Sequence, residues 1–181
     1  LVKGKRVLDL FSYIGAWSVA AAAKGASEVH SVDASASALE QLQANALLNG
    51  VSDKIQTTCG DAFEVLRELR EARERFDLVV VDPPAFIPRK KDLKNGSAAY
   101  QRLNRQAMQV LSPGGLMVSA SCSYHFPELE FERILLQTGR HLDRSIQIIE
   151  RGGQGADHPV LPLIPETRYL KSFLLRVSTD M

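Results

Sequence analysis

The stretch RVLDLFSYIGAWSVAAAAKGASEVHSVD, residues Arg6 to Asp33, decides the fold. Arg6 to Phe11 is a short apolar run, the segment from Gly15 is rich in alanine and closed by Gly25, and Glu28 to Asp33 is a second short run. Short apolar runs bounded by turn signals read as buried strands, and an alanine-rich segment stopped by glycine reads as a helix. Strand, turn, helix and strand in this order make one parallel unit, and the same alternation continues downstream. A helical pattern from Ser37 to Leu48, with Ser35 able to cap it, precedes a third strand at Lys54 to Cys59. A helix from Ala62 to Arg73 carries Phe63, Leu66 and Leu69 on one face. Phe76 to Val81 follows as a β-branched, barely alternating run, the pattern of a central strand covered on both faces.

Asp82-Pro83-Pro84 stops that strand, because proline has no ladder donor. A basic stretch from Pro88 to Arg105 then precedes a helix to about Leu111, a Pro113-Gly114-Gly115 turn and a fifth strand from Leu116 to about Ala120. Pro127 opens a helix that ends near His141. Ser145 to Glu150 and Tyr169 to Val177 read as two final strands, joined by a loop rich in glycine and proline from Arg151 to Pro165. No helix joins them, so an antiparallel pair is expected, with the last strand inserted in the minority direction. The fold class is therefore α/β, a doubly wound, seven-stranded, mostly parallel sheet.

One domain is expected over residues 1–181, at ordinary globular usage of 45% apolar and 24% charged residues. With 22 Lys and Arg against 21 Asp and Glu, net charge favours neither nucleic acid nor an acidic partner, so any basic surface must be local. No apolar run reaches the roughly 20 residues of a membrane span, and no His or Cys spacing indicates a metal site. Two cysteines make no disulfide framework and suit a cytoplasmic location. The start, without an initiator methionine and almost directly on a strand, reads as that of an excised domain. The oligomeric state is not legible.

In open α/β sheets ligands bind outside the carboxyl ends of the strands, so the chemistry of those loops decides the ligand. After strand one only Gly15 holds a glycine place, which disfavours the G-x-G-x-x-G cradle of dinucleotide enzymes. Asp33, ending strand two, is placed to accept from both ribose hydroxyls of an adenosine, and Asp61, after strand three, from an adenine amine. Asp9 is a candidate for the ammonium of an amino-acid tail, which completes S-adenosylmethionine. Phe11, Ser12, Tyr13, Gly15, Ala34, Ala62, Asp82 and Pro83 fill out the expected cofactor set. Taken singly, such aspartates are more often caps or turn residues. Asp82 to Phe86 offers a carboxylate beside a rigid turn where a planar base can lie.

The run VLDLFSYIGAWSVAAAAKGA (residues 7–26), DPPAF (82–86), SASCS (119–123), GADHP (155–159) and RYLK (168–171) together resemble the bacterial large-subunit ribosomal RNA cytosine-5 methyltransferases with an N-terminal PUA domain. The resemblance implies the class I methyltransferase fold, S-adenosylmethionine as donor, a cytidine of large-subunit ribosomal RNA as target, and an upstream RNA-binding domain. Carbon 5 of cytosine is too weak a nucleophile unaided, so a thiolate must first add at carbon 6. Cys122 is the implied nucleophile, expected partly exposed and near positive charge, and Asp82 the group acting at N3 and the amine. Related enzymes with two cysteines place the second after the strand-four prolines, where this chain has Ala85. Cys59 is read as structural, and His125 as more often a surface or packing residue than a proton acceptor.

Between Pro88 and Arg105 six cations face one acid, Asp92, a patch placed to hold phosphates. Pro84, Phe86, Arg89, Lys90, Lys91, His158 and Lys171 are the candidate substrate contacts. Trp17, Phe63, Phe76, Met108 and Phe131 are read as packing residues. Two other functions fit the same residues: a methyltransferase acting on an exocyclic amine, to which Cys122 is dispensable, and a non-catalytic RNA-binding module. The missing glycines oppose a dehydrogenase.

Overall fold

In the computed structural model, which describes residues 1–179, Arg6–Leu10 forms β1, Glu28–Asp33 β2, Ile55–Cys59 β3 and Phe76–Val81 β4. Leu111–Ser121 forms β5, Ser145–Gly152 β6 and Lys171–Ser178 β7. The seven strands make one sheet in the order β3-β2-β1-β4-β5-β7-β6. β1 to β5 run parallel, and β7 is inserted antiparallel between β5 and β6 as expected. The order reverses between β1 and β4, and in open α/β sheets such a switch point is where a ligand is expected, beyond the carboxyl ends of those two strands.

The helices are α1 (Ala16–Ala23), α2 (Ala36–Leu48), α3 (Ala62–Glu71), α4 (Leu93–Gln109) and α5 (Glu128–His141). One sheet face packs Val7, Val29, Leu78 and Val80 against Ala22 and Ala46 of α1 and α2. The opposite face packs Leu8, Leu10, Val79 and Phe173 against Leu66, Tyr100, Leu103 and Phe131 of α3, α4 and α5. Each fully buried large side chain contributes roughly 1.5–3 kcal/mol. No helix among the described residues is long and apolar enough to cross a membrane.

The basic stretch departs most from the sequence reading. It is helical from Leu93, after a short 3₁₀ turn at Lys90–Asp92, because Gly96, Tyr100, Leu103, Asn104, Ala107 and Met108 form one buried stripe. Lys94, Arg102 and Arg105 therefore ride on a docked helix, while Arg89, Lys90 and Lys91 precede it. Gly96 permits that docking, since a Cβ there would come 2.5 Å from the Phe86 carbonyl oxygen.

Pro113-Gly114-Gly115 is a break inside β5, where pairing with β4 shifts register between Phe76 and Leu78. β6 runs two residues beyond Glu150, and β7 starts at Lys171 rather than Tyr169. β1 ends at Leu10 because Phe11 turns to φ 62°. Trp17 is 46% exposed and is not a packing residue. The last two residues of the expected 1–181 domain lie outside the described residues.

Candidate functional site

The loop after β1 winds tightly, with left-handed backbone at Phe11 (φ 62°), Tyr13 (φ 48°) and Gly15 (φ 88°). Gly15 is fixed by packing as well as by its φ, since a Cβ there would come 2.5 Å from Leu42 of α2. Asp33 clasps this loop to the next: Oδ2 accepts from the Tyr13 N–H at 2.8 Å and Oδ1 from the Ser35 N–H at 2.9 Å. Asp61 caps α3, its Oδ1 accepting from the N–H groups of Phe63 and Glu64. Asp33 and Asp61 thus stand on neighbouring strand ends. Ala34 and Ala62 follow them in the same loops, and Gly60 N–H bonds to the Asp33 carbonyl at 3.0 Å.

Asp9 lies deeper, fully buried beneath α1. Its Oδ2 accepts from Ser18 Oγ at 2.5 Å, and Ser18 pairs with Ser31 at 2.7 Å. Asp9 Oδ1 and Ser12 Oγ are buried and have no hydrogen-bond partner among the described residues. Buried polar groups are nearly always satisfied, so each of these atoms calls for a polar partner beyond the protein groups around it. An unpaired carboxylate oxygen suits an ammonium, and the S-adenosylmethionine tail carries one.

Burial pushes the Asp9 carboxyl up to about 7 against the Ser18 hydrogen bond, with the charges of Asp82 and Asp33 adding to the rise. An acid raised on folding holds its proton more tightly folded than unfolded. Its contribution to stability is therefore full below the unfolded value near 4 and is lost as pH rises to about 7. Urea melts of the ligand-free protein at pH 4.5 and pH 8 are expected to show this loss, up to about 4 kcal/mol for the whole shift, and Asp9→Asn is expected to remove it.

The loops after β4 and β5 bring the reactive side chains together. Cys122 is half-buried, with Sγ 3.8 Å from the Pro83 carbonyl oxygen. Asp82, in the same turn as Pro83, accepts from the Trp17 indole N–H at 3.1 Å. Burial pushes the Cys122 thiol up, the charge of Asp82 adds to this, and the Lys171 ammonium opposes it. The expected exposure and positive neighbour are both present, but the thiol is raised rather than lowered.

A buried network fixes the two loops. Ser123 Oγ accepts from the Ile87 N–H at 3.1 Å and pairs with the Tyr100 hydroxyl at 3.0 Å. Ser121 Oγ donates to Tyr100 at 2.9 Å, and Ser119 to Asn104 at 2.6 Å. Phe86, expected at the substrate, instead packs its ring 4.8 Å from Tyr100 and 6.5 Å from Phe11. Pro84 stays exposed.

Lys171 also departs from its expected place. Its ammonium is turned inward onto the carbonyls of Ser123 and Phe126. His158 is exposed on the long β6–β7 loop, where it pairs with Asp157 at 3.1 Å. Arg89 is held by Asp92 at 2.8 Å, whereas Lys90, Lys91, Lys94, Arg102 and Arg105 are exposed. Cys59 is exposed at the sheet edge rather than buried, with Sγ 3.6 Å from the Ala34 carbonyl oxygen. Among the described residues no cluster of three His, Cys, Asp or Glu is placed to hold a metal.

Sequence reading missed Trp17, Ser18, Tyr100, Ser119 and Ser121 of β5, and Ser123 just beyond it. Serines at alternate positions in a buried strand, and a tyrosine on the apolar face of α4, were the available signals, since buried hydroxyls need partners.

A family model described as S-adenosylmethionine-dependent methyltransferase matches residues 1–176. The chain is 41% identical over 175 residues to "Ribosomal RNA large subunit methyltransferase I" of Serratia proteamaculans, and 40% over 176 residues to the protein of that name in Erwinia tasmaniensis. These alignments cover 96% and 97% of this chain but 44% of each relative, so the chain spans less than half their length. A solved methyltransferase complexed with SAH superposes with TM-score 0.85 at 27% identity, over 97% of this chain and 46% of that one. An S-adenosylmethionine-dependent methyltransferase from Streptococcus mutans does so with TM-score 0.84 at 26% identity, over 97% and 45%.

Proposed function

The chain belongs to the S-adenosylmethionine-dependent methyltransferase family, and on that premise we propose that it methylates carbon 5 of a cytosine in large-subunit ribosomal RNA. The observation that carries this reading is the meeting of the Cys122 thiol and the Asp82–Pro83 turn at one edge of the sheet. The relatives' printed name supports the RNA class.

When bound, S-adenosylmethionine supplies an electrophilic methyl group on a sulfonium. Asp33 and Asp61 hold the nucleoside part, and Asp9 with Ser12 the amino-acid tail, since those two side chains bring unsatisfied polar atoms. Cys122, as thiolate, bonds to carbon 6 of the cytosine, while Asp82 delivers a proton to N3 and accepts from the amine. The electron pair this places on carbon 5 would take the methyl group as the methyl–sulfur bond of the sulfonium breaks, the cofactor leaving as the neutral thioether. Loss of the carbon 5 proton to water then restores the ring double bond and expels Cys122 as thiolate, while the N3 proton returns to Asp82.

Asp9 must be ionised to pair with an ammonium. Cofactor affinity is therefore expected to rise with pH up to about 7, by up to tenfold per unit below it, and in Asp9→Asn to be weak and flat with pH. Titration calorimetry across pH 5.5 to 8.5 checks both.

The cations of α4 are proposed as the phosphate contacts. Lys94, Arg102 and Arg105 are exposed, and Arg102 lies 4.8 Å over the Phe63 ring. Lys94→Ala with Arg105→Ala is expected to weaken RNA binding and to reduce the slope of log K against log salt by about one to two. Cofactor affinity should not change.

We propose that an RNA-binding domain, for which the greater length of the relatives leaves room, shares in choosing the nucleotide. Methylation of unmodified ribosomal RNA followed by nucleoside mass spectrometry tests the reading. It is expected to yield 5-methylcytidine. A methylated exocyclic amine would overturn it, although the packing of Phe86 into the aromatic cluster leaves that ring poorly placed to stack a base.

A further inference from the structure

We propose that Lys171 is the positioning residue of the Cys122 loop, its ammonium pinning the turn from Ser123 to Phe126 and bringing a positive charge to the loop that carries the thiol. β7 pairs Lys171 with Ser121, the residue before Cys122. From there Nζ donates to the Ser123 carbonyl at 2.6 Å and to the Phe126 carbonyl at 2.7 Å. The Ser123 carbonyl also takes the Phe126 N–H at 3.0 Å, so Lys171 bonds to both ends of one closed turn.

The choice of a lysine here is informative. Lys171 is 7% exposed and both acceptors are neutral carbonyls, while the acid acting on it, Glu128 of α5, does so only through space. Burying a cation without a bonded carboxylate is costly, and a neutral donor would close the same turn. The cost has a use if the charge acts on a neighbour. The titratable groups that act on Cys122 are Asp82 from the β4 turn, Tyr100 from α4 and Lys171 from β7, and Lys171 is the one of these that favours the thiolate, adding to the backbone N–H of Cys122 itself. Burial brings the lysine down to about 8, with Cys122 and Glu128 opposing the fall, so it is mostly charged at neutral pH.

The catalytic consequence rests on Cys122 being the nucleophile. The coupling between the two side chains does not, and alkylation reads it without any methyl transfer. In a Cys59→Ser background, which leaves Cys122 as the one cysteine, iodoacetamide rates measured from pH 6 to 10 give its titration. Lys171→Gln keeps an amide donor for the turn and removes the charge. It is expected to slow alkylation by up to about tenfold below pH 8, where the lysine is charged, and to leave the rate near pH 10, where it is neutral, unchanged. An unchanged rate below pH 8 in a folded Lys171→Gln protein would overturn the proposal.

The reverse measurement guards against a variant that does not fold. Coupling is reciprocal, so Cys122→Asp, which places a negative charge at this position, is expected to raise the Lys171 titration, followed by NMR of its ε-carbon, by about one pH unit relative to neutral Cys122→Ser. An unchanged Lys171 titration would equally overturn the proposal. A shifted alkylation profile in a protein that forms no adduct with RNA would leave the coupling standing and remove only the reading of Cys122 as nucleophile.

Discussion

Cys122→Ala is expected to lower methyl transfer to RNA by at least about a thousandfold while leaving S-adenosylmethionine binding unchanged. The size of the effect follows from the chemistry. Without addition at carbon 6 there is no electron-rich carbon 5, and no other group of the site replaces the thiolate. Cys59, the other cysteine, sits at the edge of β3 beside Ala34 rather than beside Asp82. The fold has little reason to suffer. Cys122 is half-buried, and its one polar contact is the weak 3.8 Å approach to the Pro83 carbonyl oxygen. Single-turnover assays with calorimetric binding of the cofactor separate the two quantities. A variant that still methylates RNA at the parent rate would favour the amine as target.

Asp82→Asn is expected to cost about a hundredfold to ten-thousandfold in kcat with a smaller change in cofactor affinity. Asparagine keeps an oxygen for the Trp17 indole N–H, which Asp82 now receives at 3.1 Å, so the turn should hold its shape. What is lost is the proton for N3. The stabilisation it gives develops only as the ring is attacked, so kcat should fall more than KM rises. Trp17→Phe, which removes the donor and keeps an aromatic ring, should have a smaller effect of the same sign. An Asp82→Asn enzyme with wild-type kcat would remove Asp82 from the chemistry.

The parts of this fold legible in the sequence are those where one local signal dominates. Residues 6–33 show a β-branched and leucine run, an alanine helix and a closing glycine, and they fold as β1, α1 and β2. The last strand pair was legible because a connection without a helix forces antiparallel neighbours.

The α4 helix was hidden by its cations. Its buried stripe of Gly96, Tyr100, Leu103 and Ala107 is interleaved with Lys94, Arg102 and Arg105, and the charges read as a basic stretch ahead of the helix rather than as part of it. The carboxylates were placed on the right strand ends by topology. Their partners depend on which loop folds over which, as with Trp17 on Asp82 and Ser18 on Asp9. Lys171 carried a signal that was not used. It stands in phase with the buried Phe173, Leu175 and Val177, so alternation along β7 already turned it inward.

Cytosine carrying fluorine at carbon 5 tests the central claim most directly. After methyl transfer that carbon has no proton to lose, so the enzyme cannot be expelled from carbon 6. Incubation of the protein with S-adenosylmethionine and ribosomal RNA containing 5-fluorocytidine, followed by denaturation and peptide mass spectrometry, is expected to find the nucleotide bonded to Cys122. Absence of any adduct, under conditions where the cofactor is bound and unmodified RNA is methylated, would contradict the account.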